Sequence, residues 1–254
     1  MAALGECVHG VRSALGFLTR IPVAMGPSRG SRWAAAHFPL VGAFIGALGV
    51  LVWLAAYRLD PSVRAWLVIA ALLLITGAFH EDGLADTVDA LGGAYTRERL
   101  FEILKDSRIG TFGAAALVVA LALRAALLSR LLMQSAWLLV ASQAVSRLAP
   151  VLLMGRLPYV TAPNASRSQH VVHANGAQCA LAAGWTVCLL LGLVQWAQLS
   201  WVRLAAGVVG LALTTVWLAW RFVRRAGGVT GDFLGATQQI GELAFLLGFA
   251  LCSQ

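Results

Sequence analysis

Seven stretches of roughly 20 mostly apolar residues, the length needed to cross a bilayer, dominate the chain. They are Phe38–Tyr57, Val63–Phe79, Phe112–Leu132, Ala136–Met154, Ala177–Trp196, Val202–Trp220 and Phe233–Cys252. The second is short and the last contains several polar residues. Most tryptophans fall near the ends of these runs, where aromatic belts form. Of 254 residues, 59% are hydrophobic and 12% charged, about half the charged fraction of an ordinary soluble domain. The chain therefore reads as an all-α polytopic membrane bundle of about seven helices. No linker or composition break divides it, so residues 1–254 form one membrane-embedded domain. Met1–Arg20 is broken by Glu6, His9 and Arg12 and does not read as a signal peptide.

With seven spans, one membrane side receives the N-terminal segment and the connections 80–111, 155–176 and 221–232. Thirteen Arg and Lys residues fall there, against four (Arg58, Arg64, Arg130, Arg203) on the other side. By the positive-inside rule the first side, with the N-terminus, faces the cytoplasm. Arg124 and Arg147 fall inside spans. Each costs about 2.5–3.5 kcal/mol at a helix centre, so such residues face a bundle interior or a wet cavity, or else snorkel. The net charge of +8 suits anionic lipid head groups or phosphorylated substrates. Basic residues scattered between apolar runs argue against nucleic acid.

The acidic residues are concentrated. Five of the eleven lie between Glu81 and Glu98, directly after an apolar run, in the stretch His80-Glu81-Asp82-Gly83-Leu84-Ala85-Asp86-Thr87-Val88-Asp89-Ala90-Leu91-Gly92-Gly93. Asp82, Asp86 and Asp89 stand at i, i+4 and i+7 and share one helix face. Three carboxylates beside a low-dielectric bilayer require a positive partner. Mg²⁺ is suited to this, since it takes one or two carboxylates and completes its shell with water and phosphate oxygens. Downstream, Lys105 and Arg108 in Lys105-Asp106-Ser107-Arg108-Ile109-Gly110 could hold phosphate oxygens. A second polar patch, Gly227-Gly228-Val229-Thr230-Gly231-Asp232, opens the last run on the same side. Asp232 could serve there as a helix N-cap or as a further acid of the site. Glu242 lies within that run and is a functional candidate by position.

Cys7, Cys179, Cys188 and Cys252 form no CxxC pair, and His37, His170 and His173 have no metal-ligand spacing. Neither a disulfide framework nor a zinc site is expected. On the residues alone, a membrane transferase acting on some diphosphate and a transporter using Arg124, Arg147 and Glu242 both remain open.

Taken together, several stretches resemble the cobalamin synthase family, adenosylcobinamide-GDP ribazoletransferase. They are Phe17-Leu18-Thr19-Arg20-Ile21-Pro22-Val23, Phe38-Pro39-Leu40-Val41-Gly42, His80 to Gly93, Lys105 to Gly113, and Gly227 to Asp232. The resemblance implies transfer of the adenosylcobinamide phosphate to α-ribazole or its 5′-phosphate, with GMP released, by a Mg²⁺-dependent enzyme of the bacterial cytoplasmic membrane. It implies that Asp82, Asp86, Asp89 and Asp232 hold Mg²⁺ and act in catalysis, with one aspartate or His80 taking the acceptor's proton. Lys105, Asp106, Arg108, Arg20 and Thr230, within matching stretches, and Arg167, in the loop Pro158 to His170 that looks like the family's Ser- and Lys-rich loop, are expected at the substrate. The chain departs from the family at Gln238-Gln239, where relatives often carry a more acidic pair, and at Arg167, where they carry Lys. A homo-oligomer is left open.

Overall fold

The computed structural model describes residues 2–23, 33–160 and 173–252. Arg167 and His170 lie outside the described residues. Helix α1 (Ala2–Leu18) leads to a short 3-10 turn, Ala34–His37, that runs directly into α2 (Phe38–Ala55). Helix α3 (Pro61–Thr76) starts on an Asp60 cap, whose carboxylate accepts the Ser62 N–H at 2.8 Å, with Pro61 in the first turn. Then come α4 (Phe79–Gly93), the short α5 (Arg97–Ile103), α6 (Thr111–Leu131), α7 (Leu138–Arg156), α8 (Gly176–Ala197), α9 (Trp201–Ala226) and α10 (Gly231–Leu251).

Every apolar run expected from the sequence is a helix. Six of these helices are long and apolar enough to cross a membrane by themselves. The seventh, α3, has 16 residues and spans about 24 Å, short of a hydrocarbon core of about 30 Å. It meets the test only together with α4, and the pair is bent by 91°. The cause is local. Gly77 (φ 69°) and Ala78 (φ 57°) both adopt the left-handed conformation, one natural for glycine and the other costly for alanine.

Helix α7 lies at the centre: 83% of its apolar window is buried, against 22% for α6 and α8 and 28% for α9. Its closest neighbour is α2, and small residues allow the approach. A Cβ on Gly46 would stand 2.7 Å from the Val140 backbone. The outer helices present Leu191, Val209, Leu213 and Val216 to their surroundings, as lipid-facing surfaces do. After α7 the chain pairs with the segment before α10. The Val160 N–H donates to the Val229 carbonyl (2.8 Å) and the Val229 N–H to the Pro158 carbonyl (2.9 Å). These bonds fix the approach to α10, and with it Thr230 and Asp232.

Candidate active site

The elbow at Gly77–Ala78 decides where the acidic stretch goes. It turns α4 sideways across the start of α10, and the two helices meet on glycines. A Cβ on Gly83 would lie 2.9 Å from the Asp232 carbonyl oxygen and 3.3 Å from the Cα of Gly235. Any side chain at Gly83 would push the helices apart. The contact sets Asp82, from the first turn of α4, beside Asp232, from the first turn of α10.

Both aspartates line a cavity of about 370 Å³. One wall is aromatic. Phe17 stacks on Phe38 with centroids 5.5 Å apart and meets Phe79 edge-on at 5.4 Å. Another wall carries Asp82, Asp232, Thr230 and Lys105, and Phe101 and Leu104 bring the end of α5 to the opening. From α7 come Met154, Pro150 and Arg147. His80 is buried against this cavity, and its Nδ1 has no partner among the described residues.

Asp86, half-buried one turn beyond Asp82, is within electrostatic reach of Asp82, Asp232 and Asp89. Among the described residues no Arg or Lys stands within 4.0 Å of any of these four carboxylates; the ion pairs lie elsewhere. The repulsion is therefore left for something else to offset. The donor chemistry suits a hard divalent cation. Among the described residues no three acidic, His or Cys side chains form a ready-made metal cage.

Asp89 has a different task. Its two carboxylate oxygens accept the backbone N–H groups of Gly110 (2.7 Å) and Gly113 (2.8 Å), which ties α4 to the start of α6. Glycines are required at 110 and 113 because a Cβ at either would strike that carboxylate. Asp232 is not the cap of α10. Thr230 is: its hydroxyl accepts the Phe233 N–H at 3.2 Å. The Asp232 carboxylate lines the cavity, hydrogen-bonded by the Thr230 side chain and next to the positive end of the helix dipole.

The expected basic residues separate. Lys105 lines the cavity. Arg108 does not: its guanidinium forks onto Asp106 (Nε–Oδ1 2.9 Å, Nη2–Oδ2 2.6 Å) at the exposed rim. Those hydrogen bonds hold the Asp106 carboxyl down at about 2. The Arg20 N–H donates to the Ile75 carbonyl at 2.7 Å, and its side chain lies over Gly77 at the elbow, outside the cavity lining.

Beneath the site is a polar assembly that sequence reasoning saw only in pieces. Arg124 of α6 pairs with Glu81 of α4 at 3.5 Å and with Glu242 of α10 at 3.0 Å. Glu242 also accepts from Gln143 (2.6 Å) and Gln238 (3.1 Å), and Glu81 from Gln239 (2.9 Å). Arg147 is 2% exposed and is held by Gln143 and Ser146. It faces the cavity and does not snorkel. Arg124, Arg147 and Glu242 stood out as charges within apolar runs; Glu81 and the glutamines did not. The available signal was spacing. Gln143, Ser146 and Arg147 stand at i, i+3 and i+4, and Gln238 and Glu242 at i and i+4, each set on one helix face.

Comparison with known proteins identifies the family. The chain is 42% identical to the adenosylcobinamide-GDP ribazoletransferase of Leptothrix cholodnii, over 98% of this chain and 97% of the relative. It is 40% identical to that of Ralstonia pickettii (98% and 97%) and 36% identical to that of Vibrio cholerae (92% and 90%). No solved structure matches it. The family model for cobalamin-5-phosphate synthase matches residues 10–250, so the chain belongs to that family.

Proposed function

We propose that this protein transfers the adenosylcobinamide phosphate of adenosylcobinamide-GDP to α-ribazole or α-ribazole 5′-phosphate, releasing GMP. Family membership supports the reaction class. The observation that carries the assignment to this cavity is the glycine-mediated crossing of α4 and α10, which places uncompensated carboxylates beside Lys105 and an aromatic wall.

In this reaction a ribose hydroxyl of the acceptor attacks the phosphorus on the cobinamide side. The P–O bond to GMP breaks, and the hydroxyl proton passes to a base of the protein. Catalysis of such a step is mainly positioning and charge neutralisation. Asp82, Asp86 and Asp232 would hold Mg²⁺, which when bound neutralises phosphate charge. Asp89 supports them by fixing α4 to the start of α6. Lys105 at the cavity wall offsets charge on the departing GMP. A neighbouring aspartate or His80, buried against the same cavity, takes the proton. The aromatic wall of Phe17, Phe38 and Phe79 suits the flat base of the acceptor. The arginine bias of the connections supports placement in the cytoplasmic membrane, with the N-terminus and the cavity opening facing the cytoplasm.

The test is turnover by the full chain in liposomes, given adenosylcobinamide-GDP, α-ribazole or its 5′-phosphate, and Mg²⁺. GMP and corrinoid product should appear together and stop on addition of EDTA. Folded protein that yields neither with either acceptor would overturn the assignment. Product that persists in EDTA would remove the metal role alone.

A further inference from the structure

Of the four charged residues in the buried assembly, Arg147 behaves differently. Arg124 contacts both glutamates directly, at 3.5 and 3.0 Å. Arg147 is equally buried, yet among the described residues no carboxylate lies within 4.0 Å of it. Its hydrogen bonds all leave Nη1 and end on neutral acceptors, the Gln143 carbonyl and amide oxygens and the Ser146 hydroxyl. Nε has no partner. The side chain lines the cavity, about 10 Å deeper along α7 than Met154, at a rise of about 1.5 Å per residue. A guanidinium needed only to neutralise Glu81 and Glu242 would sit on them, as Arg124 does. One gripped through Nη1 by neutral groups at the cavity lining is pre-organised for an anion that arrives from the cavity.

We propose that Arg147 is a substrate-binding residue whose guanidinium takes a phosphate oxygen at the inner end of the cavity, opposite the carboxylate wall. Gln143 and Ser146 are its positioning residues. The division of labour is electrostatic. Acids on the wall require a cation beside the substrate, and the arginine at the floor takes a phosphate directly. The anion site itself follows from the geometry; naming its ligand as a substrate phosphate rests on the phosphotransfer reading above. Two phosphates qualify, the 5′-phosphate of the acceptor and the diphosphate of the donor.

The experiment compares wild type with Arg147→Lys and Arg147→Met, all as full chains in liposomes, using α-ribazole and α-ribazole 5′-phosphate in turn. Arg147→Lys keeps the charge that balances the two glutamates, so it reports on recognition even where Arg147→Met fails to fold. If the site holds the acceptor phosphate, KM for α-ribazole 5′-phosphate rises roughly 10- to 100-fold and KM for α-ribazole does not move. If it holds the donor diphosphate, KM for adenosylcobinamide-GDP rises by that factor with either acceptor. Either pattern supports the proposal, because a purely structural arginine would lower kcat or yield without moving one KM selectively. Unchanged KM values in Arg147→Lys for all three substrates would overturn it. Calorimetric titration of inorganic pyrophosphate into each protein without Mg²⁺ is independent of turnover. Binding weakened in Arg147→Lys, in a wild type that makes no product, would retain the anion site and discard the reaction. Equal binding in both would discard the anion site.

Discussion

Two polar assemblies share helices α4 and α10, and they differ in charge balance. Glu81 and Glu242 point into the bundle, where Arg124 and three glutamines answer them. Asp82 and Asp232 line the cavity with no cation of the described residues within 4.0 Å of them. Glu81 and Asp82 are adjacent in sequence, yet one is 6% exposed and the other lies open at the cavity wall. A helix turns about 100° per residue, so neighbouring acids can serve opposite ends of one design. The compensated acid belongs to the architecture. The uncompensated acid marks a place for a ligand, because no ion pair among the described residues offsets its repulsion.

The largest effect should come from the uncompensated side. Asp86→Asn should lower kcat/KM by a factor on the order of 10³ while thermal unfolding in detergent stays unchanged or shifts upward, since a like charge is removed. A large fall in unfolding temperature would instead make Asp86 part of the architecture. The compensated side should answer in the opposite way. Glu242→Leu leaves Arg124 with a weaker single partner, and breaking a buried pair of this kind costs about 3–5 kcal/mol. Folded yield and unfolding temperature should drop sharply, and the molecules that remain folded should turn over more nearly like wild type. Loss of turnover with full stability would erase the distinction between the two assemblies.

Between them lies the glycine crossing. Gly83→Ala places a methyl 2.9 Å from the Asp232 carbonyl oxygen, an overpacking of backbone that cannot rotate away. It should cost about 1–3 kcal/mol. Because it separates Asp82 from Asp232, it should also reduce apparent Mg²⁺ affinity, read as a rightward shift of the Mg²⁺ dependence of turnover. Lost stability with an unmoved Mg²⁺ curve would mean that these two acids do not act on one ion.

The hydropathy of the chain disclosed the bundle, since each apolar run became a helix. It could not disclose the elbow. Gly77-Ala78 sits at the end of an apolar run, and a 91° turn leaves no trace in an average over residue types. The spacing of Asp82, Asp86 and Asp89 correctly placed them on one helix, but that helix face is about 10 Å long and reaches two environments. Its first part meets the cavity and its last meets the start of α6, so Asp89 accepts backbone N–H groups. Lys105 and Arg108 looked equivalent in sequence; only the fold shows Arg108 engaged by Asp106. Gln143 escaped notice, and Gln238-Gln239 stood out only as a departure from the family, because an amide among apolar residues becomes informative only when its partner on another helix is known.

The smallest predicted effect probes the hinge between architecture and site. Thr230 caps α10 through its hydroxyl and lies directly before the turn that carries Asp232. Thr230→Ala should cost about 1 kcal/mol, the usual loss for an N-cap. Fraying of that first turn would let the Asp232 carboxylate leave the cavity wall, so the same variant should need more Mg²⁺ for half-maximal turnover. Thr230→Ser keeps the hydroxyl and should restore both properties. If Thr230→Ala loses stability with no change in Mg²⁺ dependence, the cap belongs to the balanced interior and Asp232 is held by the crossing at Gly83 alone. If both properties move together and serine restores both, the helix cap is what turns a structural terminus into one wall of the site.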